Sequence, residues 1–177
     1  MPLDHLWATW RSNYVTGVVD SRETPSSAEA DGRSLFERIL AADGSDRDKG
    51  VIARGDDVFV LLNRFPYTSG HLMVLPTSAI SSLDVLDDMV HTELWRTVRT
   101  AVGAQQRAFR CDGVNVGLNL GEAAGGSQSD HLHVHCVPRW LGDANFVSVV
   151  AETRVVPVAL EDAWDRLTDV WEDGVDG

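Results

Sequence analysis

The segment His131-Leu132-His133-Val134-His135-Cys136-Val137-Pro138-Arg139-Trp140 decides how this chain is read. Histidine alternates with apolar or small residues, and the run then ends in Pro-Arg-Trp. Strand side chains alternate between faces, so this spacing predicts His131, His133 and His135 on one face and Leu132, Val134 and Cys136 turned into a core. Three imidazoles in a row bring no packing advantage, and partial protonation near neutral pH would make them repel. A lone strand histidine is more often a satisfied polar group, but strict period two favours function over that plainer explanation. Metal binding is the stronger rival, because alternating histidines can give zinc two ligands. Against it, neither cysteine is placed on the histidine face and no carboxylate pair stands nearby.

Working outward, residues 113–120 (GVNVGLNL) and the histidine run flank the glycine-rich stretch 121–130 (GEAAGGSQSD). Two apolar runs around a glycine turn predict neighbouring strands. Such a turn is ordinarily only a hairpin connection. Leading straight into the histidines, Gly125-Gly126-Ser127 instead predicts a phosphate cradle, because glycine lets backbone amides approach an anion and serine adds a hydroxyl donor.

Residues 88–110 carry Met89, Leu94, Trp95, Val98, Ala101, Val102 and Ala108 near a helical period, which predicts the long helix, with a start signalled around Ser81 and Asp84. The apolar run 58–63 (VFVLLN) and residues 71–76 (HLMVLP), separated by the Pro/Gly-containing NRFPYTSG, predict an antiparallel pair. Ser34-Leu35-Phe36-Glu37 has the form of a capping box opening a short helix to about Ala42, followed by a polar turn to Gly50. Residues 3–10 suggest a helix, NYVTGVV a strand or extended arm, and 20–33 a polar loop. At the other end, Trp164, Leu167, Val170 and Trp171 form a stripe that predicts a terminal helix over 161–171.

A chain of 177 residues suits one domain over 1–177, with a core at about 34–157, an N-terminal arm and the C-terminal helix. Its 44% hydrophobic and 24% charged residues are ordinary for a soluble protein, and no apolar run approaches a membrane span. The first residues lack a secretory pattern, so a cytoplasmic location is expected. Cys111 and Cys136 lack a paired spacing and are expected to be reduced core residues. The net charge of −12 argues against a nucleic-acid partner, since such binding rests on Lys and Arg neutralising phosphates. A small anion held by backbone amides remains compatible with it.

Together these segments resemble the histidine triad family. The HLHVHCVPRW run, the preceding GVNVGLNLGEAAGGSQSD, NRFPYTSGHLMVLP and the N-terminal LWATWRSNYV are similar to the branch containing the bacterial diadenosine tetraphosphate phosphorylases. The resemblance spans about Leu6 to Pro157. It implies an α+β fold, with an antiparallel sheet of about five strands packed on the long helix, and a homodimer or larger homo-oligomer. It also makes His133 the nucleophile. Neutral imidazole attacks phosphorus well near pH 7, and a nucleotidyl-histidine splits one hard displacement into two easier ones.

By the same resemblance His131 orients and polarises the nucleophile through hydrogen bonding, His135 lies against the phosphate, Asn119 contacts phosphate and Asn63 contacts ribose. Gly126 and Ser127 belong to the cradle. His71 could support the site from behind, Arg139 could offset substrate charge, and Trp140 could cover a nucleotide or close a subunit contact. One departure stands out: many bacterial relatives place a zinc-binding Cys-x-x-Cys where this chain has Ser34-Leu35-Phe36-Glu37. The capping box is therefore expected to replace a metal as the local organiser. No dedicated carboxylate site is evident, so no tightly bound cofactor is expected, magnesium entering only with the nucleotide.

The reaction so implied is cleavage of diadenosine tetraphosphate by inorganic phosphate to ATP and ADP. If water resolves the intermediate, the same residues make a dinucleoside polyphosphate hydrolase or a nucleoside phosphoramidase. From other classes, a non-catalytic nucleotide-binding module and a zinc-binding structural module remain alternatives.

Overall fold

A computed structural model of the chain describes residues 32–125, 128–143 and 156–171. The expected helix at 3–10, the arm at 13–19, most of the loop at 20–33, and Gly126 and Ser127 of the cradle lie outside the described residues.

The sheet is built where the apolar runs predict it. Strands β1 (Val51–Arg54), β2 (Val58–Leu62), β3 (Leu72–Pro76), β4 (Gly113–Leu118) and β5 (Val134–Arg139) lie in the order β1-β2-β3-β5-β4, and every neighbouring pair is antiparallel. Runs such as β2 and β3, buried at every position, need cover on both faces. Here both faces have it. On one, Val58, Val60, Leu62, Leu72, Val74, Val134 and Cys136 join Leu94, Val98 and Ala101 of a long helix and Ala163 and Leu167 of the C-terminal helix. On the other, Phe59, Leu61, Met73 and Leu75 pack on Phe36 of a short helix.

The helices follow from local signals. Helix α1 (Leu35–Ala41) starts at Ser34, whose side chain accepts the Glu37 amide while the Glu37 carboxylate accepts the Ser34 amide. The capping box read from sequence is therefore formed. A second box, Ser45 with Asp48, starts the short helix α2 (Asp46–Lys49) within the stretch expected to be only a turn. Its Ser-x-x-Asp pattern was the available signal, with Asp in place of the usual Glu or Gln.

The long helix α3 (Asp88–Phe109) starts later than expected. Its N-cap is Asp87, and the Ser81–Asp84 signal falls on a one-turn 3-10 helix at Leu83–Val85. Its buried stripe is Leu94, Val98, Ala101, Ala104 and Gln105, whereas Met89 is exposed at 76% and Trp95 at 37%. Those two lie off the 3.6-residue stripe, so they are not core residues. Cys136 is a fully buried core residue, but Cys111 is only partly buried, which corrects the expectation for it. Helix α4 (Leu160–Asp169) closes the core, and Trp164 Nε1 donates to the Val51 carbonyl at 2.9 Å.

Gln105 is the polar member of the α3 stripe and ties the helix to the sheet behind the histidines. Its Nε2 donates to the carbonyls of Gly70 and Cys136, both at 2.8 Å. The approach depends on Gly70, which has φ +75° and where a Cβ would overlap the Phe109 ring. Gln105→Leu would take a buried donor away from both carbonyls and cut the tie between helix and sheet. We expect it to cost on the order of 2 kcal/mol or more, read as a lower urea midpoint with an unchanged slope.

Candidate active site

The site occupies the sheet face that α1 covers only in part. Met73, on the α1 side, pairs in register with His135, so both side chains project from that face. Leu132, Val134 and Cys136 belong to the opposite core. The three histidines are therefore on one face, as their spacing predicts. The ladder begins only at Val134, however, so His131 and His133 stand before the first paired residue of β5.

Hydrogen-bond partners fix which nitrogen of each ring carries the proton. His133 Nδ1 lies 2.8 Å from the main-chain carbonyl of His131. A carbonyl only accepts, so Nδ1 must be the N–H, and in the neutral ring Nε2 is left as the unprotonated nucleophilic nitrogen. His131 Nε2 lies 2.8 Å from the Pro76 carbonyl and is likewise the N–H, which makes its Nδ1 the acceptor for the Ser34 hydroxyl at 2.7 Å. His131 thus orients His133 through its main chain. Its imidazole, fully buried, is tied to Ser34 and Pro76, and the hydrogen bond to His133 is made by its main-chain carbonyl. Burial lowers its pKa, keeping the ring neutral.

His135 is set from behind by His71, a fully buried residue. His71 Nδ1 accepts the Tyr67 amide at 3.2 Å and lies 3.3 Å from Asn63 Nδ2. Its proton is therefore on Nε2, 3.0 Å from His135 Nδ1. His135 accepts there and keeps its own proton on Nε2. The rings of His133 and His135 meet edge-on at 4.8 Å, and Tyr67 lies over His71 at 4.6 Å. Desolvation, with His133 adding to it, pushes the pKa of His135 down to about 4.

That shift predicts a pH dependence of stability. An unfolded histidine takes up its proton near pH 6.5, whereas folded His135 resists until about 4. The unfolded chain binds more protons between those values, so stability falls as pH falls. The lowered His131 acts in the same direction. We expect the melting temperature to drop between pH 7 and pH 4.5, and His135→Asn to flatten part of that drop.

Beside His135 lies an open cleft of about 880 Å³, within the size range of small-molecule pockets. Tyr67, Asn115, Asn119, His135, Arg139 and Trp140 line it. The structure thus brings four expected site residues, Asn119, His135, Arg139 and Trp140, to one cleft. Asn63 does not line it. Its Nδ2 meets His71, and its Oδ1 accepts the Phe65 amide at 2.9 Å.

Arg139 is committed to the protein. Its guanidinium donates to both Asp143 oxygens at 2.6 and 2.7 Å and to Asn115 Oδ1 at 2.9 Å. The arginine holds the Asp143 carboxyl down to about 2, so the expected free charge for the substrate is already paired. A bidentate guanidinium–carboxylate pair of this geometry braces the turn after β5.

The sequence reading passed over Tyr67 and took Ser34 only as a helix cap. An aromatic residue four positions before His71 was the signal for the first. Nothing local announces the second, because its partner is His131. At that place, His131 has both ring nitrogens bonded and the Glu37 carboxylate receives the Ser34 and Ala79 amides at 2.8 and 3.0 Å. Such a donor set does not fit a zinc tetrahedron. Among the described residues no helix is long and apolar enough to cross a membrane.

Comparison with known proteins places this geometry. The HIT domain family model matches residues 45–140. An AP-4-A phosphorylase of Mycobacterium tuberculosis is 41% identical over 169 residues, which is 96% of this chain and 85% of that one. A bis(5'-adenosyl)-triphosphatase of Dictyostelium discoideum is 28% identical over 81 residues, 46% of this chain and 54% of the relative. Among solved structures, a zinc-bound histidine triad family protein of Mycobacterium smegmatis superposes with a TM-score of 0.62 at 23% identity, covering 77% of this chain and 91% of that one. With a triad run that holds one histidine in its Nδ1–H form beside two others on the same sheet face, and with these matches over most of its length, the chain belongs to the HIT family.

Proposed function

We propose that the chain cleaves diadenosine tetraphosphate with inorganic phosphate to ATP and ADP. The observation that carries this reading is the hydrogen bond from His133 Nδ1–H to the His131 carbonyl, which leaves Nε2 as a lone-pair nucleophile. Nε2 attacks the α-phosphorus, a P–N bond forms, the P–O bond to the next phosphate breaks, and ATP departs. An oxygen of inorganic phosphate then attacks the same phosphorus, the P–N bond breaks, and ADP leaves with His133 restored.

His135 Nε2–H, neutral at pH 7, donates to the phosphoryl oxygens as charge develops on them. The cleft beside it offers room for the departing nucleotide and then for phosphate, with Asn119 as a polar wall and Tyr67 and Trp140 as aromatic ones. Gly126 and Ser127 contribute the cradle in this reading, magnesium accompanies the nucleotide, and the chain acts as a homodimer or larger homo-oligomer. The 41% identity to an AP-4-A phosphorylase over nearly the whole chain supports the choice of substrate and acceptor.

The test is product analysis of diadenosine tetraphosphate incubated with the protein, with and without inorganic phosphate. Phosphate-dependent ATP plus ADP is expected. Phosphate-independent AMP plus ATP would make the chain a hydrolase and sink the phosphorylase reading.

A further inference from the structure

His131 and His133 stand where the sheet does not hold them. β5 pairing starts at Val134, so the main-chain carbonyl of His131, which fixes the His133 tautomer, is not placed by the strand ladder. What holds this stretch is a set of anchors: His131 Nε2–H to the Pro76 carbonyl at 2.8 Å, Leu132 N–H to the Ile80 carbonyl at 2.6 Å, and the Ser34 hydroxyl to His131 Nδ1 at 2.7 Å. The last is a buried bond between residues 97 positions apart in sequence, and Ser34 itself is 2% exposed.

We infer that Ser34 is a positioning residue for the nucleophile: its hydroxyl, donated to His131 Nδ1, fixes the ring and backbone whose carbonyl holds His133 in its Nδ1–H form. The inference rests on the phosphorylase reading above and adds to it a residue outside the triad. The chain of contacts is directional. The Glu37 amide donates to Ser34 Oγ at 3.1 Å, which turns the hydroxyl proton toward His131. With Nδ1 so occupied, His131 can offer only Nε2–H, and the Pro76 carbonyl receives it. Both ends of the ring are then pinned, and the carbonyl of the same residue faces His133 Nδ1. Phe36, two residues after Ser34 on the same helix, rests against the rings of His131 and His133 with centroids 5.4 Å from each. Helix α1 is thus latched to the nucleophile by a hydrogen bond at its start and a ring contact in its first turn.

Without the hydroxyl, a buried Nδ1 loses its donor, and the ring can relieve this by taking the other tautomer or turning over. Either change gives up the Pro76 contact and frees the carbonyl at 131 to move. His133 then samples the Nε2–H form, in which the nitrogen that should attack carries a proton. The loss falls on the rate of transfer and spares nucleotide affinity, since Ser34 lies behind the triad.

Two measurements test this. Nitrogen-15 spectra of the imidazoles in the full wild-type chain should show His131 as the neutral Nε2–H tautomer and His133 as the neutral Nδ1–H tautomer at pH 7.5. A wild-type His131 in the Nδ1–H form would overturn the inference with no variant needed. Single-turnover nucleotidyl transfer from saturating diadenosine tetraphosphate should then fall about tenfold in Ser34→Ala at unchanged nucleotide affinity. The same spectra should show His133 in mixed tautomers, and Ser34→Thr should recover both rate and spectrum. Glu37→Ala loosens the same helix start while leaving the hydroxyl on His131, so it should lower the melting temperature and keep most of the rate. If Ser34→Ala transfers at the wild-type rate, or if Glu37→Ala loses as much as Ser34→Ala, the latch is wrong. Absence of nucleotidyl transfer by the wild-type chain would count against the reaction, whereas the spectra judge the latch without any turnover.

Discussion

His133→Ala is expected to abolish turnover of diadenosine tetraphosphate, with a loss of about four orders of magnitude or more, equivalent to about 5.5 kcal/mol of activation free energy. The variant removes the atom that forms the P–N bond, and among the described residues no other imidazole on that face offers a free nitrogen lone pair in its place. His135 offers an N–H, and both nitrogens of His131 are bonded to Ser34 and Pro76. The side chain is buried against Phe36, so the fold loses one ring contact and keeps its core. Nucleotide affinity should therefore survive while the covalent adduct disappears. Mass spectrometry of the protein mixed rapidly with substrate should show an added nucleotidyl group in wild type and none in the variant. An adduct that persists in His133→Ala would move the nucleophile elsewhere.

His71→Leu is expected to lower kcat/KM about a hundredfold. His71 does not line the cleft, and its effect passes through His135. Its Nδ1 takes one or two N–H donors and its Nε2–H meets His135 Nδ1, so the proton of His135 is kept on Nε2, where phosphate can use it. Leucine removes that partner, and His135 then divides its proton between two nitrogens. It also removes one partner of the Tyr67 amide and of Asn63 Nδ2, so the loop that carries the Tyr67 wall loosens. His71→Gln should restore a part of the rate, because its amide N–H reaches toward the place of Nε2. An equal loss in both variants would assign His71 to packing alone.

Much of the fold was legible because the signals are local and periodic. The all-apolar runs of β2 and β3 read as buried strands, and Ser34-x-x-Glu37 read as a helix start, since capping depends on residues three apart. Misreadings occurred where a short pattern was compatible with two outcomes. Ser81 and Asp84 resemble a cap, yet the chain makes one 3-10 turn before Asp87 begins α3. Met89 and Trp95 are apolar, yet only the stripe through Leu94, Val98 and Ala101 meets the sheet. In the site, Arg139 read as a free cation because its partner Asp143 lies in the following turn, and a turn's shape is not written in its composition.

By itself the sequence determined the alternation that puts three imidazoles on one sheet face, the apolar runs that make the sheet, and the box that starts α1. Each of these depends on residues within one or two turns or pleats of one another, where backbone geometry dictates which side chains meet. Only the tertiary structure decided what those imidazoles can do. The His131 ring is held by Ser34 and Pro76, His135 by His71, and His133 by a main-chain carbonyl that stands before the strand ladder begins. A histidine's chemistry depends on which nitrogen holds the proton, and the partner that settles it comes from whichever segment the fold brings beside it.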